Sequence, residues 1–359
     1  MRLKNKKYRK NRRLPRRQHV IRNYIRIRKF FPFKNFKEFY NETRERAKYS
    51  KIIEPCQDFR LINNPIEVIK TIAELKSLAK REKIHRVIID LTNLTHIDIG
   101  AISLMLSSVK ELRNHKVRIS GTQPLDEDVL DFIIKSGFFG NMSNVSPDIS
   151  NTLQSHKKNN KNTLIIADCN MKGRGQLIGT NIKQIRKLLL GEENHYQPLY
   201  TILMEMNANA FEHAYNDDKK HWVLGINFDE KSKKVFVTFT DNGLGIIQQL
   251  NLKRSTRVKE FISDFALLKT PDVFNNGILL QKVFDKVYNS RFKSQINRNR
   301  GLPTIKDKNI KNQIKNLICI TNNVYLDLTT DKYIILDDDF TGTFYYLELE
   351  AENFNQWIK

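Results

Sequence analysis

Acidic residues are missing from the first 37 positions of this 359-residue chain, where sixteen Lys and Arg stand. The formal net charge of +23 therefore comes mostly from one end, and the rest of the chain is only mildly basic. A block of like charges repels itself, which excludes it as a core element and predicts an arm that stays disordered until an anion neutralises it. Cysteine is scarce: Cys56, Cys169 and Cys319 lie far apart, with no Cys-x-x-Cys pair. That excludes a disulfide scaffold and a sequence-local zinc site, and predicts reduced thiols in a cytoplasmic protein. No apolar run approaches the roughly 20 residues that span a bilayer. The N-terminus has charge but no apolar h-region, so no secretory signal is expected.

The length suits two domains, each large enough for its own core, with the basic arm left over. In the arm, residues 1–37, Tyr8, Tyr24, Phe30, Phe31 and Phe33 interrupt the charge. Three readings stand: a solvated solubilising arm, a contact for nucleic acid or an acidic partner through phosphate pairing and stacking, or a membrane-surface contact using Val20, Ile21, Ile25 and Ile27.

From about residue 60, strands and helices alternate. Val68, Ile69, Ile72, Leu75 and Leu78 recur at helical spacing and predict a helix over 65–80. Residues 86–91 (RVIIDL) read as a buried strand, 99–113 as a helix and 116–120 as a strand. A helix over 127–135 is closed by Gly137. This is a small α/β layer domain, placed at 55–150. The stretch RVIIDLTNLTHIDIGAISLMLSSVKEL resembles the STAS domains of anti-sigma-factor antagonists. In the regulatory members a phosphorylated Ser or Thr immediately precedes the glycine. Here that residue is Ile99, before Gly100, and an alkyl side chain has no nucleophilic oxygen. Asp98 is expected to cap the following helix, and the domain to act as an interaction scaffold rather than a phosphorylated switch.

Residues 151–162, which include the apolar-free SHKKNNKN, form the expected linker. Beyond it, 163–168 (TLIIAD) reads as a strand and 182–190 as a helix. A second helix over 200–214 carries Glu205, Asn209 and His213 at i, i+4 and i+8. A carboxylate and a carboxamide in line suit holding a divalent cation and activating a nucleophile, although an exposed amphipathic face gives the same pattern. VFVTFT then alternates as a strand and runs into Asp241-Asn242-Gly243-Leu244-Gly245. A carboxylate there can accept a hydrogen bond from an exocyclic amine, and the glycines let backbone approach a flat ligand.

EMNANAFEHAY and DNGLGI, in this order, resemble the asparagine box and first glycine box of the GHKL ATPases, which include histidine kinases and Hsp-type chaperones. The match is nearest in pattern to the anti-sigma-factor serine kinases. The resemblance covers about 163–350 and implies a Bergerat-type α/β sandwich at 163–359, a mixed sheet with helices on one face. It implies ATP and Mg²⁺ as cofactors. Asn209 would coordinate Mg²⁺, Glu205 would be the catalytic residue that orients or deprotonates the attacking group, and Asp241 would bind the adenine amine. Gly243 and Gly245 would form the turn beside the base. Arg300 and Gly301 resemble the second glycine box, which closes over the phosphates and opens a helix, though Asn299 replaces a usual glycine. Gly277 is an alternative flexible point. Arg254, Arg257, Lys269, Arg291, Lys293 and Arg298 make the intervening lid basic. Thr343, in TGTFYYLEL, would lie near the adenine.

The function expected from these readings is an ATP-binding regulatory protein in which Mg-ATP closes a lid and controls a protein partner, with slow hydrolysis or Ser/Thr phosphoryl transfer as the accompanying chemistry. The alternative is an ATP-gated nucleic-acid-binding effector recruited through residues 1–37. A third reading makes the nucleotide only structural.

Overall fold

The computed structural model describes residues 49–81, 84–141, 163–168, 174–213, 221–252, 276–285 and 301–355. The basic arm, the expected linker, Arg300 and the basic lid residues lie outside them.

The first unit contains β1 (Ser50–Ile53), β2 (Asp58–Phe59), α1 (Pro65–Ala79), β3 (Arg86–Ile89), β4 (His96–Ile97), α2 (Ile99–Asn114), β5 (Arg118–Gly121) and α3 (Glu127–Lys135). β1, β3 and β5 form a parallel sheet in that order, and β2 pairs with β4. Parallel neighbours need crossover connections, which α1 and α2 supply. α1 starts at a proline, whose missing N–H costs nothing in a first turn, and buries the five apolar residues expected from the sequence. α3 is capped by Asp126, whose Oδ1 accepts from the Val129 N–H at 3.0 Å. Its end is turned by Gly137 at φ +78°.

The second unit contains β6 (Thr163–Asp168), α4 (Arg174–Leu190), α5 (Gln197–His213), β7 (Trp222–Asp229), β8 (Lys234–Asp241) and α6 (Ile246–Leu252). It continues with α7 (Asn276–Asp285), α8 (Gly301–Ile310), β9 (Lys315–Asp327), β10 (Lys332–Leu349) and α9 (Ala351–Asn355). The sheet order is β6-β7-β8-β10-β9, and every pairing is antiparallel. This corrects the expected mixed sheet. β7–β8 and β9–β10 are joined by short turns, a connection open only to antiparallel neighbours.

Successive residues of these strands point to opposite faces. Leu224, Phe239, Cys319, Tyr345 and Leu347 share a core with Ile178, Ile182, Ile202, Leu203 and Met206 of α4 and α5. Val223, Ile318, Ile320, Phe344 and Tyr346 belong instead to the core of the first unit, with Ile72, Leu75 and the apolar residues of α2. The second unit's own helices pack on one face of the sheet, and α1 and α2 of the first unit cover the other. Strands β7 and β8 are buried almost throughout for this reason.

α2 is consequently enclosed nearly all round, with every residue from Ile99 to Val109 buried. Ser103 Oγ lies 2.8 Å from Thr238 Oγ1, and Ser107 Oγ lies 3.2 Å from His221 Nε2. A Cβ on Gly225 would stand 2.5 Å from both Ser103 Oγ and Thr238 Oγ1 and 3.2 Å from Ile99 Cγ1. Glycine at this point of β7 is what lets α2 approach so closely.

Candidate functional site

β8 ends at Asp241, which is buried with 6% of its surface exposed. Its Oδ1 accepts the Gly243 N–H at 2.7 Å, and Thr343 donates to the same carboxylate through both N–H and hydroxyl. Burial pushes the Asp241 carboxyl up to about 6, against the Gly243 N–H, the charge of Lys76 and the Thr343 donors, all of which favour the carboxylate. Gly342, at φ +100°, packs tightly on the Asp241 backbone: a Cβ there would lie 2.2 Å from the Asp241 carbonyl oxygen. Asp241 and Gly243 of the β8–α6 turn therefore meet Thr343 of β10.

The turn after Asp241 is held from β9. Gly245 takes φ +85°, and a Cβ on it would lie 2.5 Å from Asn322 Oδ1 and 2.8 Å from Thr321 Oγ1. Thr321 Oγ1 accepts the Ile246 N–H at 2.9 Å, and Asn322 Oδ1 accepts those of Ile247 at 3.1 Å and Gln248 at 3.3 Å. The Asn322 amide donates back to the Leu244 carbonyl at 2.9 Å. Two side chains of another strand thus cap α6 and fix the loop. Sequence reading missed both; the only signal was Thr-Asn-Asn interrupting the apolar run of β9.

The second cluster lies on α5, which packs against β8 and α8. A Cβ on Gly301 would lie 2.7 Å from Glu205 Oε2 and 3.5 and 3.6 Å from the two amide heteroatoms of Asn209. Gly301 opens α8, so Glu205 stands at a helix N-terminus, where a carboxylate is favoured by the free amides and the dipole. Among the described residues, Asn209 Nδ2 is buried without a hydrogen-bond partner. Among the described residues no three His, Cys, Asp or Glu side chains converge to hold a metal. A magnesium ion at Asn209 would therefore take its other ligands from phosphate and water, the usual manner of Mg²⁺ with nucleotides. The side chain of His213 lies outside the description. Gly277 sits in the first turn of α7, where a Cβ would fall 2.3 Å from the Tyr333 ring, which makes it a packing glycine and not the flexible point considered for it.

In the first unit, Asp98 caps α2 as expected: its Oδ1 accepts the Ala101 N–H at 2.7 Å, and Oδ2 accepts that of Ile62 at 3.3 Å. Burial pushes this carboxyl, too, up to about 6. Ile99 is 2% exposed and sealed against β7.

Residues 24–156 match the STAS domain family. The match takes in the parallel sheet, α1, α2 and α3, and ends before β6. No curated protein is similar enough to the chain to count as a match. In this STAS domain the residue before Gly100 is alkyl, and the start of α2 is covered by the second unit. Among the described residues no helix is long and apolar enough to cross a membrane.

Proposed function

We propose that the second unit is a GHKL-type nucleotide-binding domain, fused to a STAS domain that serves as its fixed regulatory platform. The protein binds Mg-ATP and uses the bound state to control a partner protein. The observation that carries the reading is convergence: Gly301 lies against Glu205 and Asn209, and Thr343 and Gly243 lie on Asp241, although these residues come from four separate stretches of chain.

Asp241, oriented by the Gly243 and Thr343 donors, would accept the adenine amine on a remaining carboxylate lone pair, and its burial makes that contact selective. Gly243 and Gly245 would admit the base beside the backbone. Asn209 would hold Mg²⁺, with its unpaired amide satisfied by the ligand shell after a flip that turns its oxygen inward. Arg300 and the basic residues of the 253–300 stretch would meet the phosphates and close as a lid. Glu205, one helical turn before Asn209, would orient water or a hydroxyl and take its proton. ATP supplies the phosphoryl group; the chain supplies position and a base.

With the acceptor position of the STAS domain occupied by Ile99, phosphoryl transfer within the chain is not part of this function. A partner is engaged elsewhere, in a manner that depends on nucleotide. Calorimetry of the full chain with ATP and Mg²⁺, followed by partner capture with and without ATP, tests the proposal; equal capture in both states argues against regulation. The sixteen basic residues without an acid in 1–37 favour a second reading, an ATP-gated nucleic-acid effector. Its mark would be affinity that falls steeply with salt and vanishes when residues 1–37 are removed.

A further inference from the structure

Lys76 lies on α1 of the STAS domain, in what the sequence presents as the helix's polar side, yet it is 2% exposed. Its Nζ donates to the Thr341 carbonyl at 2.5 Å and lies 4.2 Å from the centre of the Phe340 ring. Thr341 begins the bulge of β10 that continues through Gly342, folded onto the Asp241 backbone, to Thr343, which donates to the Asp241 carboxylate. A cation of one domain is thus tied to the segment that builds the carboxylate site of the other.

We infer that Lys76 is a positioning residue that supplies the counter-charge for Asp241 and anchors the Thr341–Gly342–Thr343 bulge, so that seating of the STAS domain on the sheet sets nucleotide affinity. The inference rests on the reading of Asp241 as the base-binding group. It gives the buried interface a regulatory role: any partner that loosens α1 from β10 weakens nucleotide binding, and bound nucleotide strengthens the docking of α1 by the same factor.

The charges around this pair are few. Burial disfavours the Lys76 ammonium, as does Lys80, while Glu111 and Asp241 favour it. Among the described residues Glu111, on α2, has its Oε2 buried without a hydrogen-bond partner, so Lys76 answers two enclosed carboxylates. On the helical side of the sheet, Cys319 and Tyr345 feel Asp241, and both are held in their neutral forms by burial. Among the described residues Lys76 is therefore the cation whose loss Asp241 registers.

Two variants of the full chain separate charge from structure. Lys76→Gln retains a donor for the Thr341 carbonyl without the charge, and Lys76→Met retains only the bulk. Mg-ATP affinity measured from pH 5.5 to 8 should decline in the wild type below about pH 6. In both variants the midpoint should rise by about one unit, giving about five-fold weaker binding at pH 6 and about two-fold at pH 7. Wild-type affinity across the range, or a loss uniform in pH and rescued by Gln, would overturn the inference. A carbon-detected NMR titration of the Asp241 carboxyl distinguishes failure here from failure of the nucleotide reading. If the wild type binds no ATP, an unchanged Asp241 midpoint in Lys76→Met removes the coupling as well, whereas a raised midpoint leaves it standing without the nucleotide.

Discussion

Ser103 and Thr238 face each other with hydroxyl oxygens 2.8 Å apart in a fully buried contact, joining α2 of the STAS domain to the middle strand of the antiparallel sheet. A polar pair survives in such a place because each hydroxyl satisfies the other. Around it the two units share one apolar core, which makes the second unit's sheet dependent on the first for the burial of one face.

Gly225 is the narrowest point of that interface. Gly225→Val forces methyl groups against Ser103, Thr238 and Ile99 and should cost about 1–3 kcal/mol. Urea unfolding followed by tryptophan fluorescence and by circular dichroism should give one coincident, lowered transition. Separate transitions for the two units would show that they do not share a core.

Glu205 and Gly301 make a paired prediction. Glu205→Ala should retain ATP and slow its turnover by about 10² to 10⁴-fold, the usual scale for loss of a general base. Gly301→Ala places a methyl 2.7 Å from Glu205 Oε2 and should displace the carboxylate, reducing turnover while the glutamate remains. Asn209→Ala should weaken binding of Mg-ATP more than of metal-free ATP. Single-turnover assays with and without Mg²⁺ read all three, and wild-type rates in both Glu205→Ala and Gly301→Ala would exclude Glu205 from the chemistry.

The sequence disclosed the regular helices well. α1 and α3 carry apolar residues at helical spacing between clear punctuation, and their observed bounds differ from the expected ones by at most one residue. The sequence signals α4 only from Ile182, because Gly175 and Gly179 weaken helix propensity in its first half; in the structure a Cβ on Gly175 would lie 2.9 Å from the Tyr200 hydroxyl, so the glycine serves packing. The contact motifs around Asp241 were legible because strand, glycine turn and Thr343 each leave a local signature. Thr321, Asn322 and Lys76 were not, since a cap supplied from another strand and a lysine buried by another domain leave none. The covered back of the sheet did have a trace in the sequence: ISLMLSSV in α2 has no charged residue on any side, the pattern of a helix enclosed all round.

The buried carboxyls set a pH dependence. Asp98 and Asp241 have ordinary values of 3.8 and folded values of about 6. Between those limits the folded chain binds more protons than the unfolded one, so each group makes stability fall as pH rises through that window and then level off. Asp241→Asn should therefore gain on the wild type by up to about 3 kcal/mol between pH 4 and 7. Urea midpoints at both pH values check it, and a difference that is constant with pH would show that Asp241 is not held protonated by burial.

Whether Asp241 recognises the base of an ATP site is decided by isothermal calorimetry of the folded full chain and of Asp241→Asn with Mg-ATP at pH 7.5. An amide in place of the carboxylate turns a donor toward the adenine amine, so saturable binding is expected of the wild type and none of the variant. Binding of equal affinity in both, or no binding by the wild type, would contradict it.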